Sequence, residues 1–76
     1  MNDEELRAKV ELFKIFEGKY VKAEWEPKGR TKPEWIKAKC ISVTMGGVSL
    51  QTFYEGDPLI FPLEELKQMR EIKGPR

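Results

Sequence analysis

Five cations and a large aromatic ring crowd into twelve positions of this chain: Lys28, Arg30, Lys32, Trp35, Lys37 and Lys39. Trp35, Lys37 and Lys39 recur every second residue, so on an extended strand they share one face. The other three sit in Pro27-Lys28-Gly29-Arg30-Thr31-Lys32-Pro33, where two prolines and a glycine demand a loop. Cations interleaved with a flat ring suit single-stranded nucleic acid, RNA or DNA: phosphates meet the charges and a base stacks on the ring. The plainer alternative is an exposed sheet face that water solvates, with Glu24, Glu26 and Glu34 diluting the field. Charge is concentrated here nonetheless. Residues 18–44 hold seven basic and three acidic side chains, while the segments on either side are each net acidic and the chain totals +1.

Trp35 has two further readings, as a ring packed against the loop and as the anchor of a protein interface. Phe53 and Tyr54 are adjacent, so on a regular strand one of them faces outward. Beside Pro58 and Trp35 it would line a shallow groove for a peptide, which adds Tyr54 to the candidate binding residues.

Other chemistry has little to stand on. With no His and one Cys among 76 residues, zinc-finger spacings and His-based proton transfer are absent. Glu55 and Asp57 around Gly56 fall short of a calcium loop, and Gly46-Gly47 lacks the Lys and spacing of a phosphate loop. No spacing draws a nucleophile to a base, and a core this small leaves little room for a deep pocket. A non-enzymatic chain without metal or cofactor is therefore expected. Cys40 has inward parity among apolar neighbours and reads as a buried structural thiol. A lone Cys, no apolar run of membrane length and no readable signal peptide lead us to expect a cytoplasmic protein that does not span a membrane.

The elements that must position these residues are short. Residues 2–17 read as an amphipathic helix. Asn2 caps it, Glu5 falls three residues on, and Leu6, Val10 and Phe13 form a stripe that Leu12 and Phe16 widen. Ile15 points elsewhere, and Gly18 ends the pattern. Val21, Ala23 and Trp25 then alternate inward along a first strand. Ile36, Ala38 and Cys40 do the same along a second, until Ile41 and Val43 break the parity and call for a bulge near Cys40. Gly46-Gly47 marks a tight hairpin. Val48 and Leu50 face inward on a third strand whose parity slips again near Thr52. Leu59-Ile60-Phe61 is a short fourth strand, and Pro62 opens one helical turn, Leu63-Glu64-Glu65-Leu66. Residues 68–73 read as a closing strand. Continuation of the helical turn is the alternative, because Leu63, Leu66 and Met69 recur every third residue.

A helix followed by five short, bent strands is what a small closed barrel needs, since closure removes exposed edges. The layout from Gly18 to Ile72 resembles the SH3-like barrels of Tudor-like and Sm-like domains. Three stretches carry the resemblance: Gly18-Lys19-Tyr20-Val21-Lys22-Ala23, Trp35-Ile36-Lys37-Ala38-Lys39-Cys40-Ile41, and Phe53-Tyr54-Glu55-Gly56-Asp57 with Phe61-Pro62-Leu63-Glu64-Glu65-Leu66. The leading helix is similar to the Sm-like arrangement. The resemblance implies a mainly β fold in one domain over 1–76: a helix over 2–17, a five-stranded barrel over 18–73 and a tail over 74–76. It also implies a binding role, either for nucleic acid or, alternatively, for a protein partner or further copies of the chain paired edge to edge. Neither family's binding signature is complete. Trp25 has core parity and does not serve an aromatic cage, and Gly46-Gly47 does not match the Sm-like RNA signature.

Overall fold

The computed structural model describes residues 2–29, 32–53 and 56–74. Helix α1 spans Asp3–Lys14. The Asn2 side-chain oxygen accepts from the Glu5 amide at 2.9 Å, and Asp3, Glu4 and Glu5 occupy the first turn, where the helix dipole favours them. The helix is shorter than expected, because the chain tightens after Lys14 into turns closed by Phe16 N–H to Phe13 O and Glu17 N–H to Lys14 O. Gly18 follows with φ +81°.

Five strands come next: β1 (Tyr20–Trp25), β2 (Glu34–Thr44), β3 (Gly47–Thr52), β4 (Leu59–Phe61) and β5 (Leu66–Glu71), with a 3₁₀ turn over Leu63–Glu65 leading into β5. They form one antiparallel sheet in the order β4-β3-β2-β1-β5. The closing segment is thus a strand, and it begins at Leu66, two residues earlier than expected. The bulge falls at Ile41: Cys40 pairs with Leu50 and Ser42 with Ser49, which leaves Ile41 outside and returns Val43 to the core. The parity slip expected near Thr52 does not occur. Thr52 stays in register opposite Ala38, and it is simply a polar residue at an inward position.

The sheet is strongly curled. Its outermost strands, β4 and β5, are joined by residues 62–65 alone. A flat sheet would hold them four strand spacings apart, about 19 Å. Five Cα steps reach at most about 18 Å when fully extended, and a 3₁₀ turn rises only about 2 Å per residue. The edges must therefore bend toward each other. Trp25 on β1 meets Phe61 on β4 edge-on at 5.2 Å between ring centroids, its indole N–H donates to Glu65 Oε1 at 2.9 Å, and Glu26 N–H donates to Glu65 O at 2.8 Å. Yet no ladder joins β4 to β5, so the expected closed barrel is not formed by hydrogen bonds. The cause is local: β4 has only three residues, and Pro62, which has no N–H, turns the chain away at once.

Inside the curl, Val21, Ala23, Ala38, Cys40, Val43, Val48, Leu50, Phe61, Leu63, Leu66 and Met69 make one core, which Phe13 of α1 covers. Leu6, Val10 and Phe16 pack against it from the helix, but Leu12, expected to widen the buried stripe, is 62% exposed, as is Ile15. Two polar ties hold the helix down. Lys9 Nζ donates to Leu63 O at 2.7 Å, and Glu17 Oε2 accepts from the Val43 amide beside the bulge at 2.8 Å. Partial burial, with Lys67 nearby, pulls the Lys9 pKa below the ordinary lysine value, and Glu64 partly offsets the shift. No helix among the described residues is long and apolar enough to cross a membrane.

Cys40 is fully buried, and burial, with Glu17 as a second cause, pushes its thiol up to about 11. The folded state thus holds the thiol proton more tightly than the unfolded chain does. The corresponding stability is complete below about pH 9 and is lost as pH rises toward 11, a difference of about 2–3 kcal/mol from two pK units. Denaturant midpoints at pH 8 and pH 11 should differ more for the wild type than for Cys40→Ala. Equal pH sensitivity in the two proteins would show that the thiol contributes nothing.

Candidate functional site

Strands β1, β2 and β5 have a second, outward face, and their register lays it out in rows. Trp35 lies opposite Glu24, which lies opposite Gln68. In the next row Lys37 lies opposite Lys22, and Lys22 opposite Arg70. In the row after that Lys39 lies opposite Tyr20. Sheet alternation puts all of these on the side away from the core, because their chain neighbours Val21, Ala23, Ala38, Cys40 and Met69 are buried.

The middle row is costly to the fold. Like charges placed directly across a ladder repel, by roughly 0.2–1 kcal/mol per pair. The ion pairs among the described residues are Lys19–Glu71, Lys28–Glu64 and Lys67–Glu26; none neutralises Lys22, Lys37, Lys39 or Arg70. The carboxylate on this face, Glu24, accepts instead from Gln68 Nε2 at 3.1 Å. Trp35 partly offsets the repulsion. Its ring centroid lies 5.2 Å from Lys22 Nζ and 5.9 Å from Arg70 Cζ, each worth about 0.5–1 kcal/mol at an exposed site. The indole thus leans across β1 toward β5 and remains 45% exposed. At the other end Tyr20, 38% exposed, packs against the half-buried Phe53 with ring centroids 5.8 Å apart and planes tilted by 53°.

The structure brings together Trp35, Lys37 and Lys39, as their spacing predicts. Lys28 goes elsewhere: its ammonium lies 3.8 Å from Glu64 of the 3₁₀ turn, at the curled edge. Lys32 is exposed in the loop and has no ion pair among the described residues. Arg30 and Tyr54 lie outside the described residues. Lys22, Arg70 and Tyr20 complete the face and were not among the candidates read from the sequence. Alternation on their own strands puts each outward, but it takes the pairing of β1 with β2 to set Lys22 and Tyr20 beside Lys37 and Lys39, and the pairing of β1 with β5 to bring Arg70 to the same row. Among the described residues no three acidic or thiol side chains are grouped to hold a metal ion. The chemistry this face offers is attraction for an anion and stacking for a flat ring. No family model, curated protein or solved structure matches the chain, so the reading of the face rests on its geometry.

Proposed function

We propose that the chain is a small non-enzymatic binding module that takes single-stranded nucleic acid on the outward face of β1, β2 and β5. The observation that carries this reading is the row Lys37, Lys22, Arg70: three cations with no ion pair among the described residues, held side by side at the expense of fold stability, with an exposed indole over two of them. A polyanion with exposed bases relieves that repulsion and uses the ring. The resemblance to SH3-like barrels of Tudor-like and Sm-like kind belongs to the same reading. The leading helix, the strand order and the turn before β5 support it, while the missing β4–β5 ladder counts against full closure. A cytoplasmic setting is part of the same proposal.

Replacing Lys37 and Lys39 with Glu tests the site. Glu at position 37 would face Lys22 and turn a repulsive pair into an attractive one, so the fold is expected to stay as stable or gain slightly. Binding of a single-stranded oligonucleotide, read from intrinsic Trp fluorescence, is expected to fall at least a hundredfold at low salt. For the wild type, four phosphate contacts imply a slope of roughly −3 in log affinity against log salt. Unchanged affinity in the folded double variant would reject the site.

A second reading, self-association or a protein partner, has its own observation. The edge strand β4 carries Leu59 and Ile60 exposed, Ile60 at 71%, beside a backbone edge that pairs with no strand among the described residues. Light scattering over a hundredfold concentration range decides it: a constant monomer mass excludes self-association through β4.

A further inference from the structure

We infer that the outward face engages two unstacked bases of one strand, one on Trp35 and one on Tyr20 backed by Phe53, while the phosphodiester backbone between them crosses Lys37, Lys22 and Arg70. The inference rests on the nucleic-acid reading above and adds the form in which the ligand is held.

The order of the rows carries it. The two aromatic positions lie on either side of the cation row, Trp35 in the row of Glu24 and Tyr20 in the row of Lys39, and the Trp35 indole leans toward that row, over Lys22 and Arg70. Each ring is held before any ligand arrives. Trp35 is fixed by Lys22 and Arg70, Tyr20 by Phe53, and both remain accessible. Tyr20 and Glu24 are four residues apart on β1, so the backbone positions that carry the two rings stand about 13 Å apart along the strand direction. Neighbouring bases in a stacked strand are separated by about 3.4 Å. A strand that reaches both platforms must therefore spread its bases apart, and its phosphates then pass over the cations in between. A duplex fails on both counts, because its base faces are already covered and its spacing is fixed.

The test uses the full chain and fluorescence anisotropy of end-labelled oligopyrimidines, RNA and DNA, from two to eight nucleotides. Trp35→Leu and Tyr20→Leu keep apolar bulk on the sheet and remove the flat ring. Each is expected to weaken binding of the octamer about tenfold or more while leaving the salt slope unchanged, and Trp35→Phe and Tyr20→Phe are expected to bind nearly as wild type does. Should a Leu variant not fold, the wild-type protein answers with abasic oligonucleotides. An octamer retaining two bases separated by an abasic position should bind at least tenfold tighter than one retaining a single base. A duplex octamer should bind at least tenfold more weakly than its single strand. If oligonucleotides bind with the expected salt slope but the Leu variants, the abasic octamers and the duplex all match the reference, the two-platform inference is overturned and a purely electrostatic face remains. If no nucleic acid binds even at low salt, the underlying reading fails with it.

Discussion

Phe13→Ala is expected to destabilise the protein by about 3–5 kcal/mol, the usual cost of truncating a buried aromatic ring. Phe13 is the one fully buried side chain of α1, and it covers the core on the side the sheet leaves open. Leu6, Val10 and Phe16 are only partly buried, and the two polar ties, from Lys9 and Glu17, are single hydrogen bonds. A chain of this length has roughly 4–11 kcal/mol of stability in total, so the loss takes a large fraction of it. The helix should loosen first and the sheet core be wetted from that side. A denaturant titration measures the total, and amide exchange in residues 3–14 relative to β2 shows where the loss falls. A cost under about 1 kcal/mol would mean that α1 is attached to the fold without supporting it.

Gly47→Ala is expected to cost about 3 kcal/mol, for a different reason. Gly47 opens β3 with φ +137°, and an added Cβ would stand 2.7 Å from the Phe61 carbonyl oxygen and 2.9 Å from Ile60 Cγ2. The nearer obstacle is backbone, so β4 itself must move away. Because β4 has three residues and pairs only with β3, it has little else to hold it in register. Gly46 is the control. Its nearest neighbour would be Thr44 Oγ1 at an ordinary 3.6 Å, and its φ is not positive. Thermal melts should show Gly46→Ala within a few degrees of wild type and Gly47→Ala far below it. Equal melting temperatures would refute the close approach of β3 to β4.

Strand periodicity was readable because it is local. Val21 and Ala23, then Ala38 and Cys40, alternate with polar neighbours, and the break at Ile41 located the bulge. Asn2 likewise acts on its immediate neighbours and caps α1 as its type predicts, whereas Pro62 precedes the 3₁₀ turn as its extended N-cap and does not hold its first position. What could not be read depends on residues far apart in the chain. Leu12 fits a helical stripe, but whether the stripe is wide or narrow is set by the sheet beneath it. Closure of the barrel depended on whether a three-residue strand could reach β5. At the site, Trp35, Lys37 and Lys39 stood out because one strand holds them all. Lys22 and Arg70 did not, since their proximity comes from the pairing of β1 with both β2 and β5.

That pairing also orders events in time. The turn between β2 and β3 brings Thr44 against Gly47, a contact nearly adjacent in sequence. Val21 and Glu71, by contrast, meet across most of the chain. Loop closure makes contacts of such sequence separation slow and entropically expensive, so docking of β5 is the natural last step of folding. Arg70 arrives with it, which means that the cation row is finished only when the molecule is. A nucleic-acid strand laid across Lys37, Lys22 and Arg70 would favour the docked strand by mass action and act as a latch on the final segment.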